Sequence, residues 1–156
     1  MIDESIQEFL QLGIERQYPG KWKAVFGGAT AIESDGVGIL VVHDREHGHL
    51  GFASWVLGGV TFSPAMVRAV GKLNNSTVLG AYVLGEGQPD HWFITYAIKM
   101  RYRWVEQSRT SAYMILDALT AVPQFVSRGV EELQPQFGGT PIGASGGWWL
   151  ALMDNF

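Results

Sequence analysis

The stretch HWFITYAIKMRYR, His91 to Arg103, alternates over its whole length, and this alternation decides the fold class. Trp92, Ile94, Tyr96, Ile98, Met100 and Tyr102 share one parity, which Trp104 continues. His91, Thr95, Lys99, Arg101 and Arg103 share the other, with Phe93 and Ala97 its only apolar members. A period of two fits a pleated ribbon and no helix. One greasy face and one mostly wet face predict an antiparallel sheet covered on a single side. At about 3.4 Å per residue the ribbon is roughly 45 Å long, so it is expected to bend or overhang its neighbours.

Upstream, Ile2, Ile6, Phe9, Leu10 and Ile14 recur at helical spacing until Tyr18-Pro19-Gly20 stops them. Three strands are predicted next. The first covers Trp22 to Glu33, with Gly27-Gly28 as an internal bulge. Asp35-Gly36 makes a tight hairpin into the second, Val37 to His43. The third runs from Leu50 to Leu57, and Gly58-Gly59 is expected to end it. Ser63-Pro64 signals a helix start, because serine suits the N-cap and proline the first turn. Met66, Val67, Val70 and Leu73 form its apolar stripe, and Asn74-Asn75 close it. A strand from Thr77 to Leu84 then turns through Gly85 to Asp90 into the long ribbon. A last helix runs from Ser108 to about Leu133, with a kink or break expected at Pro123.

These elements specify an α+β fold: an antiparallel five-stranded sheet in the order α-β-β-β-α-β-β-α, with the helices mainly on one face. The domain is expected to span 1–137. Residues 138–147, GGTPIGASGG, read as a glycine-rich tether carrying an apolar plug, WWLALMDNF. Exposed tryptophans favour association, so Trp148 and Trp149 are expected to dock, on their own domain or in a groove of a second protomer or a partner.

Composition narrows the function. Of 156 residues, 47% are hydrophobic and 17% charged, as in a globular domain. A net charge of -4 gives no reason to expect a nucleic-acid partner. The absence of cysteine removes disulfides, thiolate nucleophiles and thiolate-bound metals. There is no signal-peptide pattern at the N-terminus and no apolar run long enough to span a bilayer, so a cytoplasmic location is expected.

No residue set proposes catalysis. His43-Asp44-Arg45-Glu46-His47-Gly48-His49 is rich in ligand types, but its spacing matches no closed metal motif, and it reads as a solvated turn. Ser63, Ser108 and Ser111 sit where helix caps belong, and no Gly-x-Ser-x-Gly surrounds them. No phosphate-binding glycine motif is present. Neither a catalytic residue nor a cofactor is therefore expected. Lys99, Arg101 and Arg103 make a cationic row on the wet face, suited to keeping the sheet soluble or to meeting an acidic peptide.

From Pro64 to Gly138 the chain resembles the type III secretion chaperone fold and its YbjN-type relatives. A short helix closes on Lys72-Leu73-Asn74 and is followed by the aromatic-bearing strand Ala81-Tyr82-Val83. A turn, a second strand and a long helix ending near Glu131-Glu132-Leu133 complete the pattern. The resemblance implies a non-enzymatic, chaperone-like protein that binds an extended polypeptide, as a homodimer. Its expected contact surfaces are a sheet edge, the apolar side of the first helix (Ile6, Phe9 and Leu10), the Lys99, Arg101 and Arg103 row, and the Trp148-Trp149 plug. The alternative is a small-molecule or regulatory sensor with a pocket lined by Trp92, Tyr96 and Trp104.

Overall fold

The structure, a computed structural model, describes residues 2–25, 29–44, 46–88, 91–101 and 109–144. Helix α1 (Ile2–Gln17) leads into β1 (Trp22–Ala24), β2 (Thr30–Ser34), β3 (Val37–Asp44) and β4 (His49–Val60). Helix α2 (Pro64–Asn75), strands β5 (Ala81–Gln88) and β6 (His91–Arg101) and helix α3 (Arg109–Phe137) follow. One antiparallel sheet results, in the order β1-β2-β3-β4-β6-β5.

The sheet has six strands, where five were expected. Trp22 to Glu33 folds back on itself: Trp22 lies opposite Ile32, and Ala24 opposite Thr30. A glycine pair can reverse a strand as readily as bulge it, and alternation alone does not separate the two. Gly58-Gly59 does the converse. Instead of ending β4 it makes a bulge, with Gly59 at a φ of 67°, and pairing resumes at Val60 opposite Trp92. The Asp35-Gly36 hairpin forms as expected, with positive φ at both residues and Ser34 opposite Val37.

Even-numbered residues of β6, and those of β4 as far as the bulge after Trp55, face the helices; beyond it Leu57 takes the core position opposite Ile94. Leu50, Phe52 and Val56 join Ile94, Tyr96 and Ile98 in one core with Ile14 of α1, Met66, Val70 and Leu73 of α2, and Ile115, Leu119, Val122 and Val126 of α3. Tyr96 is its largest fully buried side chain; the ring stacks on Phe125 at 4.8 Å, and its hydroxyl donates to the Leu79 carbonyl. Ser63 caps α2 by accepting the Met66 N–H at 3.1 Å. Val67, expected in the buried stripe, is exposed at the outer margin of that helix. α3 runs through Pro123 unbroken. Burial of the proline in the apolar stripe outweighs the one backbone bond it cannot make.

The hairpin between β5 and β6 is tighter than the expected Gly85–Asp90 loop, with Gln88 already opposite His91. Thr77 to Gly80, expected as strand, lies outside β5. Residues 138–144, expected as tether, pack on the sheet: Thr140 pairs with Gly58, and Ile142–Ala144 form a single helical turn beside β4. Trp148 and Trp149 lie outside the described residues. Among the described residues, no helix is long and apolar enough to cross a membrane.

Candidate polypeptide-binding face

α1, α2 and α3 pack into the single core on one side of the sheet, so Gly51, Ala53 and Trp55 of β4 and the odd-numbered residues of β6 build a face on which, among the described residues, no α-helix packs. Register assembles this face in rows. Leu40, Ala53, Ala97 and Ala81 stand side by side across β3, β4, β6 and β5. Trp55, Thr95 and Val83 form the next row, and Val42, Gly51 and Lys99 lie on the other side. The Trp55 and Phe93 rings meet at 4.6 Å. Small residues therefore floor the middle of the face, and larger apolar groups border it. Val42 and Val83 are 38% and 49% exposed, which marks the borders as open to contact.

Of the residues singled out from sequence, only Lys99 is placed here with a described side chain, exposed and opposite Gly51. Arg101 lies at the end of β6 opposite His49, and its side chain is outside the described set, as are those of Ile6, Phe9 and Leu10 on α1. Arg103 lies outside the described residues altogether. The face residues Leu40, Val42, Trp55, Val83 and Phe93 were not singled out. Phe93 and Ala97 already broke the polar parity of β6; combined with the odd side of β4, they carried the signal.

Two strands have an unpaired edge, β5 at the border of the sheet and β4 where it outruns β3, and both are capped. Asn74, at the end of α2, donates from Nδ2 to the Tyr82 carbonyl at 2.9 Å and accepts the Tyr82 N–H on Oδ1 at 2.7 Å. Between β3 and β4, pairing stops at Leu40 and Ala53. Beyond it, buried Ser54 donates from Oγ to the Gly38 carbonyl at 2.7 Å. Gly58 then exchanges main-chain bonds with Thr140, at 2.8 and 2.9 Å. Residues 140–144 thus sit in the fork where β3 and β4 separate.

Other polar groups make local contacts. Asp44 accepts the His47 N–H at 3.1 Å, and the His47 ring Nδ1 lies 2.9 Å from its other oxygen. The accepted N–H is the main reason this carboxyl is held below the usual range. His43 lies opposite Leu50, on the parity of the core, while His49 is opposite Asp44 on the other parity. Among the described residues, no group of three His, Asp or Glu side chains is placed to hold a metal. Burial pushes the Tyr82 phenol up to about 12, and its hydroxyl donates to the Phe125 carbonyl at 2.6 Å. A cleft of about 320 Å³ between α2 and α3 is lined by Lys72, Ser76, Arg128 and Glu132, with Arg128 donating to Ser76 Oγ at 2.6 Å. It pairs no nucleophile with a base.

No protein-family model matches the chain, and no curated protein matches it in sequence. Among solved structures it is similar to YbjN from E. coli, a protein provisionally described as a transcription regulator. The TM-score is 0.58 at 13% identity, over 84% of this chain and 93% of that one. The fold is YbjN-like. At that identity the likeness extends to the architecture alone.

Proposed function

We propose that this protein is a non-enzymatic, chaperone-like binding module that holds an extended polypeptide against the helix-free face of its sheet, as a homodimer. The observation that carries the reading is the apolar composition of that face, with a floor of Gly51, Ala53, Ala97 and Ala81 between Val42 and Val83. An extended chain is flat enough to lie on such a floor and alternates its side chains, so it can reach both borders. Lys99 at the margin favours a partner carrying acidic groups. The proposed partner is protein rather than nucleic acid, in keeping with a net charge of -4.

Fluorescence anisotropy with a chemically unfolded reporter polypeptide tests this. The wild-type chain should bind, and a Val42→Asp/Val83→Asp variant should lose at least about tenfold in affinity while staying folded. Absence of wild-type binding overturns the reading. Light scattering showing only monomer at tens of micromolar would remove the homodimer and leave the binding face standing. The sensor reading is less well supported. Tyr96, expected to line its pocket, fills the core instead, Trp92 packs on Phe62 at 4.8 Å, and Trp104 lies outside the described residues.

A further inference from the structure

The fork between β3 and β4 is a strand slot with an occupant already seated. Its geometry defines what fits. Gly58 offers one N–H and one carbonyl to the occupant, and Thr140 satisfies both. The two positions after Pro141 are read by shape. A Cβ on Gly58 would run into the Ile142 side chain, so the missing side chain of Gly58 is the seat of that isoleucine. A Cβ on Gly143 would run into the Trp55 carbonyl and come within 3.2 Å of Ser54 Oγ, so the residue after the isoleucine must be glycine. The occupant enters from Gly138 and Gly139, which adopt φ values of 68° and 87°. Such backbone re-aims the chain at little steric cost as it leaves α3.

We infer that this slot is a second peptide-recognition site that reads an apolar residue followed by glycine in a polypeptide that pairs once with Gly58 and then closes into a single helical turn, and that Ile142-Gly143 occupies it in cis as a competitor. The inference deepens the polypeptide-binding reading, and rests on it for the nature of the incoming partner. Main-chain pairing at Gly58 supplies sequence-tolerant attachment, and the Ile142 seat and the Trp55 carbonyl supply selectivity. A partner with the same pair gains access only by displacing a segment held close by its own chain.

The test uses the full-length protein and a labelled peptide of the sequence Gly-Gly-Thr-Pro-Ile-Gly-Ala, that of residues 138–144. Ile142→Asp should eject the segment and leave the slot open. It should bind the peptide at least about tenfold more tightly than wild type, because a short tether competes at an effective concentration of roughly millimolar. Gly58→Val ejects the segment and fills the seat, so it should not bind. A peptide with valine for its second-last residue should bind neither chain. Should Ile142→Asp fail to fold, Thr140→Pro opens the slot by deleting one main-chain donor.

Equal binding by wild type and the opened variant, or binding that survives Gly58→Val, overturns the slot. A concentration-dependent dimer that Gly58→Val abolishes would overturn the assigned partner in favour of a second copy. Failure here is separable from failure of the binding face. Peptide binding without reporter binding removes the face and keeps the slot, and the reverse removes the slot alone.

Discussion

β5 is an edge strand and β4 outruns β3, and the two open edges are closed in different ways. At Tyr82 the cap is a side-chain amide, from Asn74 eight residues earlier, held rigid by the helix it terminates. At Gly58 the cap is main chain, supplied by Thr140 from beyond the last helix and reached through two glycines in left-handed backbone. Either satisfies one donor and one acceptor that would otherwise need water. The first is local and welded to the core; the second is distant and comes from the chain that follows α3. A strand edge closed by a neighbouring helix is removed from use, whereas the slot inferred at Gly58 requires that its segment come away.

The sharpest way to break this contrast is Asn74→Ala. Two main-chain groups of Tyr82 lose partners at once, and the protein should lose about 2 kcal/mol in a urea titration. A loss too small to resolve would mean that β5 is not held by its cap. Ser54→Ala comes next. It strips the Gly38 carbonyl of a buried donor, and the expected loss is about 1.5 kcal/mol in the same titration.

Thr140→Pro should cost less, about 1 kcal/mol, and its effect should be local. Hydrogen exchange at the Gly58 amide should accelerate while core amides stay protected, as expected of a segment that opens below the global transition. If core amides accelerate equally, the second cap is as welded as the first.

Tyr82 adds a pH dependence to the first region alone. Its folded pKa of about 12 lies above the unfolded value of about 10, so the folded state holds the proton more tightly. That contribution is complete below about pH 10 and is lost as pH rises through the folded value. Stability should fall across that window in wild type, and fall less steeply in Tyr82→Phe. The smallest effect is reserved for Val83→Thr on the open face, expected within about 0.5 kcal/mol by thermal unfolding.

Legibility followed the range of the interaction. The parity of β6, the Asp35-Gly36 hairpin and the Ser63 cap were readable because each depends on residues within a few positions of one another. The binding face was half readable. Phe93 and Ala97 interrupt the polar parity of β6, but the face becomes apolar only when Trp55, Val83 and Leu40 are brought alongside by register. Asn74 was legible as a helix end, not as a clamp on Tyr82.

By itself, the sequence determined an α+β chain with an antiparallel sheet whose long last strand is greasy on one side, because alternation and turn chemistry act over neighbouring residues. Tertiary structure decided that Trp22 to Glu33 is two strands, that Gly58-Gly59 bulges instead of stopping, and that Thr140 closes the fork. These are pairings of main-chain groups. Every residue but proline carries the same N–H and carbonyl, so the choice of distant partner is made by packing and register and leaves no mark in residue type.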